Sequence, residues 1–226
     1  MASTEELLAE LVKRGATMEQ IALFKDPTAS NPDQALELLK AGNARFFSGQ
    51  PQRVFSDVNV RRSQIIAQTP FAVVLGCADS RVPVELVFDQ GPGDLFSIRV
   101  AGNVVESATL GSVQYAIKHL KTHLVVVLGH EGCGAVAASL LPASAHEGEP
   151  EHVRFLLDAI APALKGMPPI RDGKARMREA VVRNVEHQKA ILEADPVVIE
   201  ATQRGQIKVV GAFYEIGSGA VDFLEG

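Results

Sequence analysis

Three short apolar runs between residues 70 and 130 dominate the hydrophobic pattern of this chain: PFAVVLGC, DLFSIRVAG and HLVVVLGH. Each is bounded by Gly, Pro or polar residues, a pattern that predicts fully buried strands. Between the second and third lies SATLGSVQYAIKHLKT, in which Leu110, Val113, Ala116, Ile117 and Leu120 recur at helical spacing. Strands alternating with helices predict a parallel sheet built from βαβ units. A helical region follows over 152–204, broken at GMPPIRDG. The C-terminal QIKVVGAFYEIGSGAVDFLEG predicts two strands around a Gly-Ser-Gly turn, which makes one sheet edge antiparallel. The fold class is therefore α/β, a mostly parallel central sheet flanked by helices.

Residues 1–50 have a different, helical pattern. Ser3 and Glu6 fit a capping box ahead of Leu7, Leu8, Leu11 and Val12, and Gly15 ends that stripe. Thr17 and Gln20 repeat the signal before Ile21, Leu23 and Phe24. Asn31 and Pro32 then open a third helix, ALELLKAGNARFF, which Gly49 closes. These helices carry more apolar residues than one shielded face needs. They predict an N-terminal arm, within a single domain spanning 1–226, that packs on a partner subunit.

Composition narrows the setting. The chain has 226 residues, 46% hydrophobic and 22% charged, as an ordinary globular protein does. A net charge of −5 spread along the chain gives no footprint for nucleic acid or an anionic membrane. No apolar run approaches the ~20 residues of a bilayer span. The acidic, amphipathic N-terminus is unlike a secretory or transit signal, so the expected location is cytoplasmic. The two cysteines, Cys77 and Cys133, could form a disulfide, sit buried as inert thiols, or bind a ligand.

The stretch VVVLGHEGCGAVAASL, 125–140, frames the chemical question. A strand, a glycine-rich turn and a small-residue helix could cradle a phosphate on Gly129, Gly132 and Gly134. A phosphate cradle has no use for His130 and Cys133, however, and GHEGCG lacks the glycine order of a dinucleotide loop. Cys77 and His130 both end predicted strands, and ligands in parallel sheets collect beyond those carboxyl ends. If the strands are neighbours, Cys77, His130 and Cys133 form a Cys2His set suited to zinc, with the three glycines leaving room around the ion. Three protein ligands leave the fourth tetrahedral position for water or substrate. Asp79 and Arg81 follow Cys77 in CADSRVPVE. Asp79 alone would ligate the metal; paired with Arg81 it is held off as a hydrogen-bond acceptor. The bland alternative is a surface ion pair.

CADSRVP followed by GHEGCGA resembles the paired motifs, C-x-D-x-R and H-x-x-C, of the β-class carbonic anhydrases. The resemblance runs from ALELLKAGNARFFSG to GAFYEIGSGAVDFLE. It implies one zinc on Cys77, His130 and Cys133, an Asp79–Arg81 dyad, and reversible hydration of carbon dioxide to bicarbonate. It also implies a homodimer, or a multiple of dimers, with exchanged N-terminal helices. Gln68, Phe96 and Tyr115 match the substrate pocket of the plant-like, open-site branch; Ala101 stands where that branch has valine. Gly134 matches a backbone N–H that helps hold bicarbonate, and Val82 would add to the apolar pocket wall. A second branch closes its site by placing Asp79 on the metal, with bicarbonate held by Trp, Arg and Tyr. Arg99 and Tyr214 fit two of those positions, but Val74 replaces the Trp, which favours the open branch. The remaining histidines, His119, His123, His146, His152 and His187, are expected to be solvated helix or loop residues. Two rivals stand beside this reading: a carbonyl sulfide or carbon disulfide hydrolase on the same scaffold, and a non-catalytic protein with structural zinc.

Overall fold

The structure, a computed structural model, describes residues 10–11, 13–17, 26–52, 64–65 and 67–224. The predicted first and second helices of the arm, with Ser3, Glu6, Leu7, Leu8, Ile21, Leu23 and Phe24, lie largely outside these residues. The third is present as α1, Pro32–Phe47, with Pro32 in its first turn and the Asn31 side chain accepting from the Gln34 N–H. Such a cap stabilises a helix by about 1 kcal/mol. Gly49, just past its end, takes the left-handed conformation at φ +71°.

The central sheet contains β1 (Ala72–Gly76), β2 (Leu95–Arg99), β3 (Leu124–His130), β4 (Lys208–Tyr214) and β5 (Val221–Leu224), in the order β2-β1-β3-β4-β5. The first four are parallel and β5 pairs antiparallel to β4, as the C-terminal Gly-Ser-Gly turn predicts. β1 and β3 are fully buried along their length. Their neighbouring positions bring the ends bearing Cys77 and His130 together. β2 corrects the expectation of three buried strands. Among the described residues it is one of the two edges of the sheet, the other being β5, and only Ile98 of its five residues is buried.

Strand side chains alternate between faces, and so two cores form. Val73, Leu75, Val125 and Val127 face one core. It is covered by Val113, Ala116 and Ile117 of α3 (Ser107–His119), by Ile160 of α5 (Glu151–Leu164), and by Val181, Val185 and Leu192 of α6 (Gly173–Glu193). Ala72, Val74, Leu124, Val126 and Leu128 face the other, against Ala35 and Leu39 of α1 and Val84 and Val87 of α2 (Val84–Val87). The helical region over 152–204 divides into α5, α6 and α7 (Pro196–Gln203), with the GMPPIRDG break between the first two. Helices on both faces explain why the inner strands read as continuous apolar runs.

Candidate metal centre

Beyond the carboxyl ends of β1 and β3, the chain makes two turns that face each other. Cys77 follows directly on β1 and His130 is the last residue of β3. Gly132, at φ +65°, turns the chain so that Cys133 caps the short α4 (Gly134–Ser139). The donor atoms of Cys77, His130 and Cys133 all lie within 4.8 Å of one another, and all three residues are buried. Among the described residues this is the group of His, Cys, Asp and Glu side chains that could hold a metal ion.

Each donor is prepared by its surroundings. His130 Nδ1 donates to the Glu131 carbonyl at 2.9 Å, which fixes the tautomer. Its Nε2 lone pair is left buried and without a hydrogen-bond partner. The two sulfurs are 4.0 Å apart and share one hydrogen bond. That bond drives the Cys77 thiol down and the Cys133 thiol up, so one thiolate forms readily and the second is resisted. Backbone N–H groups of Asp79 and Gly102 support a thiolate at Cys77, and those of Val136 and Ala135 at Cys133. A dication removes the conflict between the thiols, because a coordinating thiol is deprotonated outright. Soft sulfur, imidazole nitrogen and an orphaned Nε2 together fit zinc.

Asp79 sits at the rim. Arg81 grips its carboxylate at two points, Nε to Oδ1 at 2.9 Å and Nη2 to Oδ2 at 2.8 Å, and the Arg81 N–H adds a third at 2.9 Å. These bonds hold the Asp79 carboxyl well below the usual carboxylate range. Its Oδ2 is 4.0 Å from His130 Nε2, so the carboxylate faces the ligand cluster without joining it. Arg99 steadies the same loop, donating from Nε to the Cys77 carbonyl at 3.0 Å and from Nη2 to the Asp79 carbonyl at 2.6 Å.

The other predicted positions divide. Phe96 is half-buried and its ring lies 6.3 Å from that of Tyr115, which is 49% exposed. Ala101 is half-buried and opens the 3₁₀ turn Ala101–Asn103, Gly134 is exposed at the start of α4, and Gln68 is exposed on the segment leading into β1. Val82 must be corrected. It is fully buried in the core on the α1 side of the sheet, because it leads into Val84 and Val87 of α2, whereas Phe96 packs against the other core. Gly129 is also corrected. A Cβ there would stand 2.6 Å from both Val181 Cγ1 and Val185 Cγ2, so this glycine lets α6 lie against β3 and makes no room for an ion. Two histidines are engaged in packing: His146 Nε2 donates to the Ala138 carbonyl, and His123 Nδ1 to that of Gln206.

Sequence reasoning missed Asn184 and Gln188, two fully buried amides on α6 that bond to the turn beside Cys77. Their signal was two amides four residues apart inside the apolar stripe of Val181, Val185 and Leu192.

The family model described as carbonic anhydrase matches residues 72–221. Carbonic anhydrase 2 of Mycobacterium tuberculosis is 41% identical over 191 residues, covering 84% of this chain and 91% of that one. Among solved structures, a tetrameric β-carbonic anhydrase from the filamentous ascomycete Sordaria macrospora aligns with a TM-score of 0.68 at 27% identity. That alignment covers 74% of this chain and 86% of that one. The β-carbonic anhydrase CcaA aligns at 0.69 with 25% identity, covering 86% and 95%.

Proposed function

The chain belongs to the β-class carbonic anhydrases, zinc enzymes that hydrate carbon dioxide reversibly, and we propose that Cys77, His130 and Cys133 hold its zinc and Asp79 and Arg81 serve the reaction. The observation that carries the assignment is His130: its Nε2 is buried and unpartnered, and its imidazole offers a ligand atom within 4.8 Å of the two sulfurs. Zinc, when bound, supplies the Lewis acidity that makes water a nucleophile near neutral pH.

The chain's own residues then do the rest. Asp79 Oδ2 accepts a hydrogen of the attacking water and orients its lone pair toward carbon dioxide. Arg81 holds that carboxylate back from the ligand cluster by its bidentate grip. Phe96 and Tyr115 offer an apolar wall to a nonpolar gas, with Gln68 as the polar handle and Gly134 N–H as a donor to bicarbonate. The same grip on Asp79 supports the open resting site over the closed one. Val74, buried among aliphatic neighbours, offers no donor for a closing bicarbonate, and Arg99 is committed to two backbone carbonyls. The grip equally gives no support to a structural zinc with four protein ligands.

The assembly we propose is a homodimer or a multiple of dimers. It is supported by the outer edge of β2, which no strand among the described residues pairs, and by exposed Phe47 and Tyr115. None of the described helices is long and apolar enough to cross a membrane. Two free cysteines 4.0 Å apart support a reducing, cytoplasmic setting.

The purified chain should carry one zinc and hydrate carbon dioxide. Cys133→Ser exchanges a soft thiolate for a poor ligand, so metal analysis and stopped-flow hydration should both fall to background. Full zinc occupancy in that variant would sink the assignment. Carbonyl sulfide, assayed alongside, should turn over more slowly than carbon dioxide.

A further inference from the structure

Asn184 and Gln188 lie one helical turn apart on α6, fully buried in a stripe that is otherwise Val181, Val185 and Leu192. Burying two amides there is costly unless every polar group is bonded. Asn184 Nδ2 donates to the Gly102 carbonyl at 2.9 Å. Gln188 Nε2 donates to Asn184 Oδ1 and to the Ala159 carbonyl, each at 3.1 Å, while its Oε1 accepts from the Val105 N–H at 2.8 Å. The direction of this relay is forced. One end meets a carbonyl and needs a donor; the other meets an N–H and needs an acceptor.

The relay holds both ends of the turn that follows β2. Gly102 has φ +72°, and a Cβ on it would meet Ile160 Cδ1 at 2.5 Å, so the turn is pressed between α5 and the end of β1. Its N–H donates to Cys77 Sγ at 3.4 Å, within the range for sulfur.

We propose that Asn184, oriented by Gln188, is a positioning residue of the metal centre: by gripping Gly102 it keeps that residue's N–H on Cys77 Sγ and so sets the orientation and donor strength of the thiolate. The inference rests on the zinc reading of Cys77, His130 and Cys133. A thiolate lone pair engaged by an N–H is oriented before the metal arrives, and such outer-shell partners tune metal sites.

The test loads the whole chain with an NMR-active cadmium isotope, which substitutes for zinc at thiolate sites. In the wild-type protein the Gly102 amide proton should show scalar coupling to cadmium through the Cys77 sulfur. Asn184→Asp keeps the shape but turns an acceptor toward the Gly102 carbonyl. It should abolish the coupling and weaken zinc affinity, measured against a chelator, by about 10–100-fold. Gln188→Glu keeps the acceptor for Val105 but loses both donors, and should shift both readouts the same way. Where Asn184→Asp does not fold, Asn184→Ala is read identically. A role limited to packing would lower the melting temperature and leave coupling and affinity unmoved, which overturns the proposal. So does a metal-loaded wild-type protein without the Gly102 coupling. A wild-type chain that takes up neither zinc nor cadmium overturns the metal reading itself, a separable result.

Discussion

Asp79 is fastened by the Arg81 side chain, by the Arg81 N–H, and through its own carbonyl by Arg99. Arg81 is 55% exposed, so the pair adds little to folding stability, and its value is geometric. The downward shift that Arg81 imposes on Asp79 favours the ionised carboxylate. Because the shift is downward, any stability the bridge provides is complete above the ordinary carboxylate value of ~3.9 and fades only below it. Asp79→Asn removes the charge that binds Arg81 and half of the acceptor capacity while preserving size. Zinc content should be unchanged, and stopped-flow hydration of carbon dioxide should fall by at least ~10²-fold, the lower end for a lost acid–base partner. A rate near wild type would reduce Asp79 to the surface partner of Arg81.

Two glycines of one motif do different work within their elements. Gly129 lies in β3 where α6 crosses it, and Val181 and Val185 press on the space a side chain would need. Both valines are β-branched and stiff on a helix, so they cannot swing aside. Gly129→Ala should therefore cost about 1–3 kcal/mol, read as a lower urea midpoint with an unchanged slope. Gly134 opens α4, and a methyl group at that position would meet nothing within 4 Å, so Gly134→Ala should stay within about 0.5 kcal/mol of wild type. Equal losses in the two variants would contradict the packing account. β2 makes the complementary point. Its Leu95, Phe96 and Ile98 are interleaved with exposed Ser97 and Arg99, unlike the unbroken apolar runs of β1 and β3, and the order of the described strands places it at an edge.

At the scale of the molecule, no strand among the described residues lies on the outer side of β2, and Tyr115 and Phe47 expose aromatic surface to solvent. An exposed strand edge is a template for pairing unless something covers it, and a second copy of the chain is the proposed cover. Sedimentation or light scattering should give a mass of twice the 24.1 kDa chain or a multiple of it. A monomer at micromolar concentration would contradict that assembly. By itself the sequence determined the α/β class, the antiparallel end, the helix opened by Asn31, and the Cys77, His130 and Cys133 group proposed to hold the metal. Those follow from local periodicity, capping chemistry and donor type, which neighbouring residues carry. Only the tertiary structure decided that β2 is an edge, that Val82 belongs to the core on the α1 side, and that Gly129 serves α6. It alone brought Asn184, 82 residues from Gly102 in the chain, to within a hydrogen bond of the turn beside Cys77. The physical reason is common to all four: a side chain's neighbours across the sheet are set by strand order and helix packing, which no local pattern encodes.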